Sequence, residues 1–274
     1  MKYAIQTALI VMCFALTACS KKSEEPPATT APADATAAAD DAAGVAPEID
    51  ASIANAERLE GDREEDEWRK PAVVLAYLEV KPGMRVVDYL AGGGYYTELL
   101  SRIVGPDGQV IAYNNAPYLK YAAEKPAKRY GENRLPNVVQ LTTPPEAAPL
   151  EPNNLDAALF VQSYHDLYWR TKDNSWPATD PAKALATLVR ALKSGAVVVV
   201  VDHVAAPGSD PAVSVDATHR IDPAVVKRDF EAAGLVFDGE SDAFSSSEDD
   251  HTKEVFDASI RHKTDQFMYR FRKP

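Results

Sequence analysis

The chain has 274 residues, and its 41 Asp and Glu outnumber its 29 Lys and Arg to give a formal net charge of −12 at pH 7. No nucleic-acid partner is expected, because binding to DNA or RNA requires a basic face. The five histidines show no His-x-x-x-His spacing, so no metal site is expected. Composition by itself leaves the substrate open.

The first eighteen residues have the layout of a signal peptide. Lys2 precedes an apolar run that ends at Ala18 and is shorter than the roughly 20 residues that span a bilayer. The sequence Leu16-Thr17-Ala18-Cys19 resembles the lipobox of bacterial lipoproteins. In such lipoproteins the signal peptide is cleaved before the cysteine, whose thiol carries a diacylglycerol. Residues 1–18 are therefore predicted to be removed, and Cys19 is predicted to attach the chain to a membrane.

The remaining chain is expected to have no free thiol. Removal of residues 1–18 takes away Cys13 and lipidation uses Cys19, so no disulfide and no Cys-based site is expected. Ser20 stands where an Asp would indicate inner-membrane retention, and the resemblance therefore implies an exported envelope lipoprotein at the outer membrane, facing the periplasm. Residues 19–47 are largely Ala, Thr, Pro, Asp, Glu and Ser, which predicts a disordered tether. Residues 48–274 are predicted to form one domain.

This domain alternates helix-like and strand-like segments. Helices are predicted over 53–78, where Pro71 opens a second helix, and over 96–104, 118–130, 180–192 and 222–233. Strands are predicted over 84–88, 109–113, 138–141, 155–161, 196–201, 235–237 and 265–272. The alternation predicts an α/β fold with a doubly wound, mostly parallel sheet. The last two strands have no helix between them and predict an antiparallel strand at one edge.

A run of glycines lies between the first predicted strand and the helix that follows it. Gly92, Gly93 and Gly94 permit a tight turn and a close approach of the backbone to a ligand. Asp88 ends the strand, and the complete strand–loop–helix context makes this signal more specific than a glycine run alone. A ligand is therefore expected at the carboxyl end of this strand.

The segment 86–94 resembles motif I of class I S-adenosylmethionine-dependent methyltransferases, an acidic residue followed by Gly-x-Gly-x-Gly. Other segments resemble a group of predicted bacterial methyltransferases, many of which have signal peptides. These segments are Trp68-Arg69-Lys70-Pro71, residues 93–100, Ser163-Tyr164-His165-Asp166, His219-Arg220-Ile221-Asp222, Thr264-Asp265-Gln266-Phe267 and Arg272-Lys273-Pro274. The resemblance covers roughly residues 60–274. It implies a Rossmann-like domain of the class I methyltransferase type with S-adenosylmethionine as its cofactor.

The resemblance also implies which residues hold the cofactor. The loop would wrap the amino-acid part, the acid after the first strand would receive its ammonium, and the residue ending the second strand would bond the ribose hydroxyls. The implied residues are Asp88, Ala91, Gly92, Gly93, Gly94 and Asn114. Two positions depart from the usual pattern: Leu90 replaces the first glycine, and Asn114 replaces an acid and is a neutral, weaker acceptor. Both departures bear on cofactor affinity.

Candidates for the chemistry follow the fourth and fifth strands. His165 would act as a general base and Asp166 would orient it, while Tyr168 and Trp169 would line an acceptor pocket. Alternatively, His165 and Asp166 cap a helix and the aromatic residues pack in the core. His203 ends the fifth strand and is a further candidate.

The remaining histidines are assigned to loops. His219 and Arg220 either close over the site as a lid or lie in a solvated loop before Asp222, which is predicted to be an N-cap. His251 and His262 are predicted to lie at the surface.

Two functions remain open. The first is S-adenosylmethionine-dependent methyl transfer to a small-molecule or envelope acceptor. The second is a non-catalytic or repurposed domain that binds a ligand or partner in the cell envelope, since no supply of the cofactor is expected outside the cytoplasm. A nicotinamide-dependent oxidoreductase is disfavoured, because the second strand ends in Asn114 and not in an acid.

Overall fold

The computed structural model describes residues 46–274. The predicted signal peptide, Cys19 and nearly all of the predicted tether lie outside the described residues. The first described helix begins at Pro47, one residue before the predicted start of the domain. Among residues 46–274, none of the helices has the length and apolar character needed to cross a membrane.

The described residues alternate helices with strands, as the sequence pattern predicts. The helices are α1 Pro47–Ala54, α2 Asp62–Arg69, α3 Pro71–Tyr77, α4 Tyr95–Val104, α5 Ala116–Ala122, α6 Lys125–Tyr130, α7 Pro181–Ala191, α8 Pro211–Thr218 and α9 Pro223–Ala232. The strands are β1 Arg85–Tyr89, β2 Gln109–Asn114, β3 Val138–Thr142, β4 Leu155–Val161, β5 Leu192–His203, β6 Val236–Ser241 and β7 Gln266–Arg272.

The strands form one seven-stranded sheet in the order β3-β2-β1-β4-β5-β7-β6. β1 pairs in parallel with β2 on one side and with β4 on the other, so the strand order reverses direction between β1 and β4. β7 runs antiparallel to both β5 and β6 and lies one strand inside the edge. The predicted doubly wound, mostly parallel sheet with an antiparallel addition at one side is thereby confirmed. Ligands of such sheets bind at the carboxyl ends of the strands where the order reverses.

Apolar residues cover both faces of the sheet. Along β5, Val198 and Val200 pack in one hydrophobic cluster, while Val197, Val199 and Val201 pack in the other. Successive side chains of a strand point to opposite faces, and a strand buried on both faces therefore needs a continuous apolar run. The β-branched run of β5 meets this requirement.

Three helical segments differ from the sequence prediction. The predicted helix 53–78 covers the end of α1, a loop and the helices α2 and α3, because Gly61 and Lys70 adopt left-handed conformations; Pro71 opens α3 as predicted. The predicted helix 118–130 breaks at Ala123, which has a φ of 54°. α8 was not predicted, because only Val215 is buried among its apolar residues and they form no continuous apolar face.

Candidate functional site

The turn after β1 holds Leu90 in a conformation that glycine adopts more easily. Its φ is 56°, in the left-handed region, and its side chain is buried in the hydrophobic core beneath the loop. Burial of this side chain offsets the backbone strain, which is of the order of 1–3 kcal/mol for such a residue. Although Leu90 replaces the usual glycine, its side chain points into the core, so the side of the loop that faces away from the core carries no side chain at this position.

Asp88 is a buried carboxylate beside this loop. Its side chain is 4% exposed, and its Oδ2 accepts a hydrogen bond from Thr97 Oγ1 at 2.6 Å. Burial raises the pKa of Asp88 to about 6, because the Thr97 hydrogen bonds only partly offset the loss of solvation. Within residues 46–274 no Lys, Arg or His forms an ion pair with it. A cationic ligand group would supply the missing partner.

Asn114 binds the loop directly. Its Oδ1 accepts a hydrogen bond from the backbone N–H of Gly92 at 2.9 Å, and its Nδ2 donates to the Gly92 carbonyl oxygen at 3.3 Å. The Ala91 N–H donates to the carbonyl oxygen of Tyr113 at 2.9 Å. These bonds attach the glycine loop to the end of β2, so the two predicted parts of the cofactor site lie together.

Side chains of α5 and α6 cover the three glycines. A Cβ at Gly92 would lie 3.5 Å from the Tyr118 ring, and one at Gly93 would lie 2.8 Å from the Lys125 side chain. A Cβ at Gly94 would overlap the Tyr130 hydroxyl. The loop therefore needs glycine at Gly94, whose φ is 81°, whereas a Cβ at Gly93 would require the Lys125 side chain to shift.

An ion-pair network holds α6 in this position. The buried Arg129 guanidinium binds Asp62 at 2.7 Å and Glu98 at 2.5 Å, and its Nε donates to the Gly93 carbonyl oxygen at 2.6 Å. Burial would raise the pKa of Glu98, but the hydrogen bonds and charges of its arginine partners lower it to about 2. The sequence pattern did not identify this network, because its members lie on three separate helices.

A second cluster lies at the carboxyl ends of β4 and β5. His165 Nδ1 lies 2.7 Å from Asp202 Oδ1, and His165 Nε2 lies 3.5 Å from Asp166 Oδ1. The fully buried Asp202 also accepts hydrogen bonds from the backbone N–H groups of His165 and His203. Asp202 therefore makes the close contact that orients His165, and Asp166 faces the opposite nitrogen of the ring.

The charges of this cluster favour an imidazolium at His165. Burial alone would lower the pKa of His165, but the carboxylates of Asp202 and Asp166 outweigh it and raise the pKa to about 9. His203 behaves differently: its Nδ1 pairs with Thr264 Oγ1 at 2.9 Å, and burial lowers its pKa to about 3. His165 is therefore charged at neutral pH, whereas His203 is neutral and bonded to Thr264, which precedes β7.

The structure separates the aromatic residues that follow β4. His165 and Asp166 lie in a short 3-10 turn whose first N–H is bonded by Asp202, and neither of their side chains caps a helix, so the helix-capping alternative does not apply. The Tyr168 hydroxyl donates to Asp229 on α9 and thus points away from the His165 cluster. Trp169 instead packs against Trp176 with ring centroids 4.7 Å apart. Of the two aromatic candidates, only Trp169 lies next to the cluster.

Five rings form a continuous strip from the glycine loop to the surface. Their centroid separations are 5.5 Å, 4.7 Å, 5.1 Å and 5.3 Å along the series Tyr118, Trp176, Trp169, His219 and Phe256. We call these residues the aromatic strip. The Tyr118 hydroxyl faces the carboxyl of Asp166 and the carbonyl oxygen of Gln162, so the strip joins the loop to the His165 cluster.

His219 and Arg220 occupy different environments. His219 ends α8 with a φ of 54°, and its ring lies 5.9 Å from that of His165. Arg220 is fully buried and pairs with Asp249 at 2.8 Å, so it does not belong to a solvated loop. The side chain of Asp222 accepts from the Ala224 N–H as the predicted N-cap of α9. His219 alone of this pair lies over the site.

The last two histidines lie outside the cluster. His251 is half-buried and pairs with Asp265 at 2.9 Å. His262 is exposed and stacks on Trp68 with centroids 4.2 Å apart. Two cavities of about 200 and 130 Å³ lie at the amino ends of the strands, opposite the site.

Comparison with known sequences gives partial matches. The sequence model of the protein-L-isoaspartate (D-aspartate) O-methyltransferase family matches residues 67–143. The protein-L-isoaspartate O-methyltransferase of Methanopyrus kandleri is 32% identical over 68 residues, covering 25% of this chain and 30% of that protein. The ubiquinone/menaquinone biosynthesis C-methyltransferase UbiE of Pasteurella multocida is 31% identical over 124 residues, covering 45% and 41%. The matched part thus spans less than half the length of these curated relatives.

Comparison with solved structures covers most of the domain. An S-adenosylmethionine-dependent methyltransferase from Aquifex aeolicus aligns with a TM-score of 0.51 at 20% identity, over 77% of this chain and 95% of that one. The [4+2]-cyclase SpnF aligns with a TM-score of 0.53 at 16% identity, over 78% and 80%. The domain has the class I S-adenosylmethionine-dependent methyltransferase fold, and the matches imply S-adenosylmethionine as the cofactor.

The residues at the loop fit the charged end of this cofactor. Asp88 is a buried carboxylate that forms no ion pair within the described part of the chain, although the charges of Arg69 and Arg129 act on it, and an ammonium group would supply a direct partner. The glycine backbone lies beside it, beneath side chains of α5 and α6. The side chains of Tyr118, Lys125 and Tyr130 must move for a ligand to occupy the space above Gly92 to Gly94.

Proposed function

We propose that this domain is an S-adenosylmethionine-dependent methyltransferase that acts on a small-molecule or envelope acceptor. The observation that carries the proposal is that two groups of residues lie at the same edge of the sheet. Asp88 and the glycine loop end β1, the His165–Asp202 pair ends β4 and β5, and the strand order reverses between β1 and β4. This is where a doubly wound sheet binds its ligand.

The cofactor-binding half would consist of the predicted residues. Asp88 would bind the ammonium, the backbone of Ala91 to Gly94 would approach the amino-acid part, and Asn114 would face the ribose. Asn114 already bonds Gly92 through both amide atoms, so one carbonyl lone pair and one N–H remain for a ribose hydroxyl. Bound there, the cofactor supplies an electrophilic methyl group.

The acceptor half would be formed by His165, Asp166 and the aromatic strip. Asp202 occupies Nδ1 of the protonated His165, so its Nε2–H, which lies 3.5 Å from Asp166, would be the donor that holds and orients the acceptor. His203 is bonded to Thr264 and would support the cluster from behind. Positioning of this kind contributes much of the catalysis when the transferred group is already activated.

Isothermal titration of the full-length chain with S-adenosylmethionine and S-adenosylhomocysteine tests the proposal. We expect binding, and we expect Asp88→Asn to weaken it at least about tenfold, because the ammonium loses an ionic partner. Asp250→Asn changes an exposed carboxylate and serves as the matched control. Absence of binding at millimolar concentrations of either ligand would contradict the proposal.

A repurposed, non-methylating domain is the second candidate. Two observations favour it, because both leave less of the glycine loop open to a cofactor. The Gly92 N–H is already bonded to the Asn114 amide, and side chains of α5 and α6 cover the glycines. The fold also occurs in a protein named as a [4+2]-cyclase. Complementation of a deletion strain separates the candidates. If the Asp88→Asn variant corrects the defect of the deletion strain as fully as the unchanged chain does, the repurposed function is favoured.

We also propose that the chain is exported and attached to the outer membrane through a lipidated Cys19. This proposal rests on the lipobox-like sequence Leu16-Thr17-Ala18-Cys19. Incorporation of labelled palmitate into the protein in growing cells tests it. Cys19→Ala is expected to abolish the label, whereas Cys13→Ala, which alters the segment that is removed, is expected to retain it. Labelling of the Cys19→Ala variant would contradict the proposal.

A further inference from the structure

The short helix α6 rests directly on the glycine loop. A Cβ at Gly93 would lie 3.0 Å from Lys125 Cβ, and the Tyr130 hydroxyl and the Arg129 side chain fill the space above Gly94. The Arg129 Nε also donates to the Gly93 carbonyl oxygen at 2.6 Å. While α6 stays in this position, no ligand can approach the backbone of Gly93 and Gly94 from that side.

Polar contacts hold this helix in place, and apolar packing does not. Within residues 46–274, neither hydrophobic cluster of the sheet includes a residue of 119–134. The main attachment is the ion pair of Arg129 with Asp62 and Glu98. Glu98 has two further arginine partners, at 2.8 and 2.5 Å, so this carboxylate stays paired if Arg129 withdraws. Segments with few buried apolar contacts open at a lower free energy than the core, so α6 can move while the sheet stays folded.

Residues in unfavourable backbone conformations lie on both sides of α6. Ala123 precedes it with a φ of 54° and a ψ of −123°, and Glu132 follows it with a φ of 54°. Neither residue is glycine, and both are exposed, so burial of their side chains does not offset the strain. Movement of α6 would let both residues return to ordinary conformations.

The Tyr130 hydroxyl opposes the closed position. It is buried and makes no hydrogen bond to any residue of the described chain. The Thr97 hydroxyl is close to it but donates to Asp88 instead. Burial raises the pKa of Tyr130 above its usual value, so the hydroxyl keeps its proton. A buried donor without an acceptor is unfavourable, whereas in an open position the hydroxyl would bind water.

We propose that α6 is a lid, hinged at Ala123 and Glu132, that moves away from the glycine loop to admit a ligand and blocks the loop when closed. Hinges of this kind are a few residues at the ends of an element that absorb a large change in φ and ψ. The identity of the ligand as S-adenosylmethionine rests on the proposed function. The opening of α6 is a property of the chain and can be measured without a ligand.

A lid of this kind links ligand affinity to the opening equilibrium. When a ligand binds only the open form, its apparent Kd equals the intrinsic Kd divided by the fraction of open molecules. A substitution that stabilises the closed lid therefore weakens binding by the same factor by which it lowers the open fraction. A residue that only contacts the ligand changes the affinity without changing the opening.

Amide hydrogen exchange of the full-length chain without ligand measures the opening. After correction for intrinsic rates, we expect the amides of residues 128–131 to exchange at least about thirtyfold faster than those of α4, which packs in the core. Tyr130→Phe removes the unpaired hydroxyl and is expected to slow the exchange of residues 128–131 about fivefold or more. Tyr121→Phe makes the same change at a tyrosine that is 74% exposed, and is expected to have no effect.

A second variant acts on the hinge, away from the glycines. Ala123→Val places a β-branched residue at a positive φ and so destabilises the closed lid. We expect the exchange of residues 128–131 to become about threefold faster or more, with the exchange of α4 unchanged. Ala182→Val alters an exposed alanine inside α7 and serves as the matched control.

Titration of the same variants with S-adenosylhomocysteine completes the test. We expect Tyr130→Phe to weaken binding, and Ala123→Val to strengthen it, by the factors measured in hydrogen exchange. The inference is overturned if α6 exchanges only together with α4, if Tyr130→Phe does not slow its exchange, or if the affinity does not follow the exchange. Expected exchange rates without binding of S-adenosylhomocysteine to any variant would reject the proposed function and leave the lid standing.

Discussion

The side-chain amide of Asn114 bonds both backbone groups of Gly92, with an N–H···O distance of 2.9 Å in one direction and 3.3 Å in the other. An acid at this position could accept the first bond but could not donate the second. The replacement of the usual acid by Asn114 therefore couples the end of β2 to the glycine loop.

Asn114→Ala is expected to destabilise the domain by about 1–3 kcal/mol, because it leaves the Gly92 N–H without its acceptor. Urea denaturation followed by circular dichroism measures the change. Asn154→Ala is the control, because no hydrogen bond joins its side chain to another residue of 46–274, and it is expected to change stability by less than about 0.5 kcal/mol. Equal stability of the two variants would show that the Gly92 bonds contribute nothing.

Gly94→Ala is expected to destabilise the domain by at least about 2 kcal/mol. Gly94 has a φ of 81°, and an added Cβ would overlap the Tyr130 hydroxyl and approach the Arg129 side chain. Gly131→Ala is the matched control, because Gly131 has a φ of −59° and an added Cβ meets nothing within 4 Å. A Gly94→Ala variant as stable as the Gly131→Ala variant would mean that α6 does not rest on the loop.

Arg129→Met is expected to cost about 3–5 kcal/mol, because it leaves the buried carboxylates of Asp62 and Glu98 without this cation. Arg228→Met removes an arginine that is 64% exposed in its ion pair with Asp229, and is expected to cost less than about 1 kcal/mol. Denaturant midpoints of the two variants provide the comparison. Similar midpoints would contradict the assigned role of Arg129.

Protonation of His165 is expected to make stability depend on pH. Its pKa is 6.5 when unfolded and about 9 when folded, so its contribution is fully present below pH 6.5 and is lost as the pH rises through 9. The difference corresponds to on the order of 3 kcal/mol. Denaturation at pH 6.5, 8 and 9.5 measures it. His165→Gln is expected to remove the decrease in stability with rising pH, and His262→Gln is expected to retain it. If the His165→Gln variant keeps the same decrease, another group is responsible for it.

The affinity for S-adenosylmethionine is expected to fall below pH 6. The pKa of Asp88 is about 6, and only its ionised form attracts an ammonium group. Affinity should therefore decrease by up to about tenfold per pH unit below this value. Titration calorimetry at pH 7.5 and pH 5 measures the effect. A pH-independent affinity would place the ammonium away from Asp88.

The sequence predicts the parts of the fold that depend on local pattern. The continuous apolar run of β5 and the Asp-Pro starts of α7 and α9 specify these elements through their own residues. The break between α5 and α6 is different, because Ala123 carries no signal for a positive φ. Pro126 prevents one helix from running through this segment, and Arg129 of α6 bonds the glycine loop, so both contribute to the break.

The candidate site is predicted in the same uneven way. The glycine loop and His165 follow strands that are evident from sequence, so the sequence predicts that both lie at the same edge of the sheet. Asp202 was not identified as the partner of His165, because the contact depends on the register in which Val161 pairs with Val201. His219 was recognised only as a lid or loop residue, because α8, which positions it, has no apolar periodicity.

The insertion of β7 between β5 and β6 means that the sheet is not assembled in the order of synthesis. β6 has β7 as its strand partner, and β7 follows it along the chain after a segment that includes the Asp249 partner of Arg220. Until residues 266–272 emerge, β5 exposes an unpaired edge and β6 has no place in the sheet. β6 can therefore join the sheet only after the later residues of β7 have been made, and long-range pairing of this kind slows folding.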